Sequence, residues 1–203
     1  MASERPAPLV GVLALQGDFL DHEAALRAEG LRTRQVRQAG ELDGLDGLVL
    51  PGGESTTMLT LLAVEGLWEP LGQALRSGVP VFATCAGMIL LAERVENPSQ
   101  RSYGLLPITV QRNGYGRQFH SGTFALSSTS LPPGTTGTFI RAPRIIHVGR
   151  GCEVLARRDA DPVLVQHGAI LAACFHPELH PDGPHPVVAL FASQVHTAAA
   201  GRR

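Results

Sequence analysis

The order of apolar and polar positions divides the chain into two textures. In the first, short apolar runs alternate with segments of helix-forming residues. Leu9-Val10-Gly11-Val12-Leu13-Ala14-Leu15, Gly47-Leu48-Val49-Leu50 and Val79-Pro80-Val81-Phe82-Ala83 read as buried strands. A further strand is expected over residues 32–36. Helices are expected over residues 57–65 and 67–76, broken by Gly66 and stopped by Ser77-Gly78. An earlier helix begins near Asp18 or Asp21, either of which could cap it, carries Leu20, Ala24, Ala25 and Ala28 on its apolar side, and stops at Gly30. Such alternation predicts an α/β fold, a doubly wound, mostly parallel sheet flanked by helices, whose ligands sit beyond the carboxyl ends of the strands. Gln16, Gly53 and Cys85 all fall at such ends.

After Arg94 the texture changes. Residues 105–166 are short apolar or β-rich runs between glycines, prolines and serines, which predicts additional antiparallel strands and long loops. Residues 127–137 read as a turn-rich linker, and residues from 186 to about 197 as a closing helix. The 203 residues are expected to form one domain, with residues 1–8 and 198–203 frayed.

Composition narrows the function classes. The formal net charge of −1 gives no reason to expect nucleic acid or an anionic membrane as partner, and Arg157-Arg158 and Arg202-Arg203 are too small to form a phosphate-binding stripe. No apolar run approaches the roughly 20 residues of a membrane helix, and no signal peptide is read. Three cysteines without a C-x-x-C pair point to neither a disulfide framework nor a zinc site. A soluble protein of the reducing cytoplasm is the expectation.

The chemistry concentrates at two places. At Cys85 a strand gives way to helix formers through small neighbours, Ala83, Ala86 and Gly87, the geometry of a nucleophile elbow. A cysteine there meets the positive end of a helix dipole, which favours the thiolate. The competing reading is a small buried hydrophobe. Near the other end, His176-Pro177-Glu178 closes an apolar run. In an extended strand residues two apart share a face, so a base and an orienting carboxylate would point the same way. The turn Pro51-Gly52-Gly53-Glu54-Ser55 joins a strand to a helix and could present backbone N–H groups to an anion, although it contains no lysine or arginine and no Walker pattern. The hydroxyls of Ser55, Thr56 and Thr57 read as helix caps.

Thr84-Cys85-Ala86-Gly87 with His176-Pro177-Glu178 resembles the class I glutamine amidotransferases, the triad glutaminases. Three further stretches resemble the glutaminase subunits of pyridoxal 5'-phosphate synthases: Leu50-Pro51-Gly52-Gly53-Glu54-Ser55-Thr56-Thr57-Met58, Arg112-Asn113-Gly114-Tyr115-Gly116-Arg117-Gln118 and Phe139-Ile140-Arg141-Ala142-Pro143. The resemblance runs from Gly11 to about Phe191. Ala83 departs from it, standing where glycine is common before Thr-Cys.

The resemblance implies a triad of Cys85, His176 and Glu178, oxyanion N–H groups from Gly53 and Ala86, and glutamine contacts from Gly53, Glu54, Ser55, Arg112, Ile140 and Arg141. It implies hydrolysis of L-glutamine to L-glutamate and ammonia through a thioester, for pyridoxal 5'-phosphate (vitamin B6) biosynthesis. It also implies docking on a synthase subunit that receives the ammonia through a channel, in an assembly of twelve synthase subunits with up to twelve glutaminases. No cofactor is expected, and no pyridoxal phosphate site. No metal is expected either: His120 and His147 read as ordinary residues, and prolines prevent His176, His180 and His185 from sharing a helix face. Cys152 and Cys174 read as packing. Two rivals remain at this point, a glutaminase serving another pathway such as imidazole glycerol phosphate synthase, and a non-catalytic protein on a related fold in which Cys85 is only a redox-sensitive thiol.

Overall fold

The computed structural model describes residues 6–115 and 121–201. Gly116, Arg117, Gln118 and His120, singled out from the sequence, lie outside the described residues, as do residues 1–5, Arg202 and Arg203.

The first half winds as β1 (Leu9–Leu13), α1 (Phe19–Ala28), β2 (Arg32–Val36), β3 (Gly47–Leu50), α2 (Ser55–Val64), α3 (Trp68–Arg76), β4 (Val81–Thr84) and α4 (Ala86–Leu91). Among the described residues the second half carries the strands β5 (Ala92–Glu96), β6 (Leu106–Gln111), β7 (Gly122–Ala125), β8 (Ser127–Ser128), β9 (Thr136–Phe139), β10 (Arg144–Val148), β11 (Glu153–Arg158), β12 (Asp161–His167) and β13 (Ile170–Ala173). Helix α5 (Pro186–Gly201) ends the described chain.

The main sheet has the order β2-β1-β3-β4-β13-β12-β11-β8. Its first five strands run parallel, and β12, β11 and β8 add antiparallel pairings. All residues of β3 and β4 are buried, as expected of strands covered by helices on both faces. Strand order reverses between β1 and β3, which opens a crevice at their carboxyl ends. β13 arrives from the far end of the chain and pairs parallel with β4, Ala173 opposite Thr84, so that two segments distant in sequence end side by side at that crevice.

Several local expectations are corrected. The inward face of α1 is His22, Glu23 and Leu26, while Leu20 is 62% exposed. Polar partners decide this face: the buried Glu23 carboxylate accepts hydrogen bonds from Arg27, Thr33 and Gln35, which ties α1 to β2 and satisfies a charge that burial would otherwise penalise. Asp18 occupies the N-cap position of α1 without making a capping bond. Helix α4 stops at Leu91, because Ala92 already begins β5, which pairs with β6 in parallel rather than antiparallel fashion. Gly87 lets α4 sit directly on β3, since a Cβ there would strike the carbonyl of Leu50. Residues 127–137 are not simply a linker: Ser127–Ser128 form the edge strand β8, and Thr136–Phe139 form β9, which pairs with β7. The alanines after Thr197 belong to α5, which runs through Gly201, consistent with their high helix propensity. Among the described residues no helix is long and apolar enough to cross a membrane.

Candidate active site

At the end of β4 the chain turns through Cys85, whose φ of 46° and ψ of −103° put a non-glycine residue in a conformation that costs on the order of 1–3 kcal/mol. The neighbours hold it there. The Cys85 N–H donates to the Ala173 carbonyl at 2.9 Å, and its carbonyl accepts from Ile89 N–H at 3.2 Å. Cys85 is thus fixed between β13 and the first turn of α4, 7% exposed. Ala86 follows as the first residue of α4, where helix N–H groups have no partner within the helix.

Because β13 lies beside β4, the residues after Ala173 emerge next to Cys85. His176 is anchored by its N–H to the Thr138 carbonyl at 2.8 Å. The approach of Glu178 differs from the strand alternation expected: β13 has ended, and a 3₁₀ turn at Pro177–Leu179 swings the carboxylate back. Glu178 Oε1 accepts from His176 Nδ1 at 2.7 Å, with the Glu178 side chain inaccessible to solvent. Asp18 Oδ2 lies 3.4 Å from the same nitrogen and remains 39% exposed. The His176 ring also packs over the Gly52 Cα so closely that a Cβ would overlap it. Burial alone would lower the proton affinity of His176, but the interactions with Asp18, Cys85 and Glu178 overcome it and push the pKa up to about 12. Burial would likewise raise that of Glu178, yet His22 and His176 beside it hold the carboxyl below its usual range. Asp18 is also lowered, chiefly by its hydrogen bond to His176.

The turn after β3 forms the opposite wall. Gly53 has φ +138°, and a side chain there would run into Gln16, whose Oε1 accepts from Glu54 N–H at 2.9 Å. Glu54 takes the N-cap position of α2 and reaches across to Arg141, 2.9 Å between Oε1 and Nη2. Arg141 itself has φ 44° and donates its backbone N–H to Ser121 Oγ. Ser55 is not a cap: its hydroxyl donates to Gln100 Oε1 at 2.8 Å from within the first turn of α2. Between these walls lies a cleft of about 260 Å³. Gly53, Glu54, Ser55, Arg112, Ile140 and Arg141 line it together with Cys85 and His176, while Ala86 and Glu178 lie buried behind it. Every residue named from the sequence for catalysis or glutamine contact is therefore at or directly behind one cleft.

A strained cysteine beside a carboxylate-paired histidine, facing a glycine turn and a guanidinium, has the ingredients of amide hydrolysis by thioester formation. Comparison with known proteins agrees with that chemistry. Residues 12–197 match the model of the SNO glutamine amidotransferase family. A protein of Thermotoga sp. (strain RQ2) called pyridoxal 5'-phosphate synthase subunit PdxT is 51% identical over 85% of this chain and 93% of its own. The chain belongs to the SNO glutamine amidotransferase family. A second relative of the same name, from Parafrankia sp. (strain EAN1pec), is 51% identical over 87% of this chain and 88% of its own. A crystal structure described as a glutamine amidotransferase superposes with a TM-score of 0.83 at 41% identity, covering 94% of this chain and 98% of that one.

The sequence reading gives Asp18 chiefly a capping role and does not single out His22; in the structure Asp18 faces His176, and His22 stands against Glu178. Both stand one helical turn apart on α1, with Leu26 one turn further, so the i, i+4 spacing of 18, 22 and 26 was the available signal. Asp18, His176 and Glu178 are also the only group among the described residues close enough to share a cation, their ligand atoms lying within 4.8 Å. Yet His176 Nδ1 is already engaged by Glu178, so a metal would have to displace that 2.7 Å bond. His180 and His185 are occupied too. His185 Nε2 donates to the Thr136 carbonyl while its Nδ1 accepts from Val187 N–H, and His180 Nδ1 contacts the Gly183 carbonyl. Cys174 is fully buried and directed to the Pro162 carbonyl, and burial drives its thiol far above the usual range.

Proposed function

We propose that this chain hydrolyses L-glutamine to L-glutamate and ammonia, with Cys85 as nucleophile, His176 as acid and base and Glu178 as its orienting carboxylate. The observation carrying this reading is the 2.7 Å His176–Glu178 bond placed next to Cys85 by the pairing of β13 with β4. The Cys85 sulfur attacks the side-chain carboxamide carbon, forming a C–S bond and a tetrahedral oxyanion that the N–H groups of Gly53 and Ala86 stabilise. His176 gives its proton to the departing nitrogen, the C–N bond breaks, and ammonia leaves a glutamyl thioester. The neutral imidazole then takes a proton from water, whose oxygen attacks the thioester. Collapse of that second intermediate breaks the C–S bond and releases glutamate. Glu178 keeps the Nδ1 proton of His176 in place and supports the imidazolium.

Substrate recognition falls to the rim. Arg141 and Arg112 suit the α-carboxylate of glutamine, a guanidinium offering paired donors, and Glu54 suits its ammonium. Gly53, Ser55 and Ile140 complete the contact set.

The relatives' name points to the consumer of the ammonia. A synthase subunit making pyridoxal 5'-phosphate receives it, in a complex of twelve synthase subunits carrying up to twelve glutaminases, in the cytoplasm. The 203 residues act there as one glutaminase domain. The test is glutamate release by the purified chain, alone and with the synthase subunit. Release that rises on adding the partner and disappears in Cys85→Ala is expected; release untouched by Cys85→Ala would overturn the mechanism.

A further inference from the structure

His22 is a buried titratable side chain with no part in the bond-making steps of glutamine hydrolysis. It projects from α1 with 1% exposure and meets Phe82 edge to face at 5.9 Å between ring centroids. Its Nε2 lies 3.0 Å from Thr84 Oγ1 and 3.3 Å from Glu178 Oε2. Thr84 immediately precedes Cys85, so one imidazole spans the residue before the nucleophile and the carboxylate behind the base.

The carboxylate needs that second contact. Glu178 Oε1 is taken by His176, whereas Oε2 is buried and makes no hydrogen bond among the described residues, His22 Nε2 standing 3.3 Å from it. A carboxylate held through one oxygen can turn about its last torsion, which is broad and soft. The two tautomers of His22 differ sharply here. With Nε2 bare, two acceptors would face each other at 3.3 Å in a buried site. With Nε2 protonated, the N–H meets Thr84 Oγ1 at 3.0 Å, and a small turn of the ring or of the carboxylate would let Oε2, 3.3 Å from the same nitrogen, share it.

We propose that His22 is a positioning residue of the glutaminase, its Nε2–H anchoring Glu178 Oε2 so that Glu178 holds His176 in the orientation that serves Cys85. This inference rests on the reading of Cys85, His176 and Glu178 as the triad. Asp18, Asp21, His176 and Glu178 are the charged groups around His22, and burial outweighs the carboxylates among them, keeping the imidazole neutral.

The test separates donor from volume. His22→Leu fills the space without an N–H, and His22→Gln returns an N–H near the position of Nε2. With the synthase subunit present and glutamine saturating, His22→Leu lowers kcat roughly tenfold, as expected for a lost hydrogen bond to a buried charge, and leaves KM unchanged. His22→Gln recovers most of the loss. The downfield proton resonance of His176 Nδ1–H moves or broadens in His22→Leu and returns in His22→Gln. Full kcat with an unchanged His176 resonance in His22→Leu would overturn the proposal, as would losses that track melting temperature equally in both variants. Cys85→Ala distinguishes the levels. If it retains glutaminase activity, the triad reading fails and the proposal with it; if it is dead while His22→Leu is fully active, only the proposal fails.

Discussion

At the floor of the cleft Cys85, His176 and Glu178 are each no more than 9% exposed, and they follow two paired strands, β4 and β13, that are distant in sequence. At the rim, Glu54 and Arg141 expose 49% and 66% of their side chains, and the ion pair between them is held by a turn on one side and a loop on the other. Burial strengthens each floor contact, since the low local dielectric and the scarcity of water favour it. Exposure makes the rim pair cheap to break, because surface ion pairs contribute about 0–1 kcal/mol. On the proposed reading, an arriving glutamine replaces the Glu54–Arg141 contact with its own ammonium and carboxylate, while the floor contacts stay in place. Chemistry and recognition are thus separable by mutation.

The largest effects are expected at the floor. Cys85→Ala or His176→Ala should reduce kcat on the order of 10⁴-fold or more, as removal of a nucleophile or its base does elsewhere. Melting temperature should change little for Cys85→Ala, since alanine bears the φ of 46° no worse than cysteine does. Combining the two substitutions should add almost nothing to either alone, because they act as a unit. An additive double mutant, read by single-turnover glutamate release, would mean that the two residues serve separate steps.

Gly52→Ala attacks the floor from the side of the turn. Its Cβ would enter the space of the His176 ring, so imidazole and turn must part. A fall of roughly 100-fold in kcat is expected, the scale of losing one well-placed oxyanion donor or misaligning a base. An active Gly52→Ala enzyme would show that His176 tolerates displacement and that the floor is less rigid than its contacts imply.

The same contrast explains how much of this was legible in the sequence. β1, β3 and β4 are local objects: each is an apolar run with turn residues around it, and the elbow at Cys85 shows in one window of sequence. The site motifs were legible because small residues and chemistry-bearing ones stand together, as in Gly52-Gly53 and His176-Pro177-Glu178. What failed is non-local. α1 buries His22 and Glu23 rather than its alanines, because partners on β2, β4 and the turn after β13 satisfy the polar groups, and no local hydropathy encodes those partners. Ser127–Ser128 became a strand only by pairing with β11, a distant segment of the chain. Glu178 reached His176 through a 3₁₀ turn that begins where the strand pattern had already stopped.

At the rim the expected loss is smaller and of another kind. Arg141→Ala or Glu54→Ala should raise KM for glutamine roughly tenfold, the worth of one charge-assisted hydrogen bond, with kcat within about threefold of the parent. A kcat effect matching that on KM would show that the rim contributes to the transition state and that the separation of floor from rim is incomplete.

The smallest effect lies in stability against pH. Burial lowers the proton affinity of His22 and His185 in the folded state below the unfolded value of 6.5. On acidification through 6.5 the unfolded chain therefore takes up protons that the folded chain refuses, and stability falls, by at most about 1.4 kcal/mol per pH unit for each proton. His176 has the opposite sign: its folded value is raised, so its contribution is complete below 6.5 and is lost as pH rises toward about 12. Asp18 and Glu178 are lowered, and their contributions disappear only as pH falls below the unfolded values of 3.8 and 4.5. Melting temperature should consequently peak near neutrality and decline on both sides. His22→Leu should flatten the acid limb below pH 6.5, and His176→Ala the alkaline limb. A profile that His22→Leu does not alter would mean that His22 already exchanges protons with solvent in the folded state, and that the floor is wetter than its burial indicates.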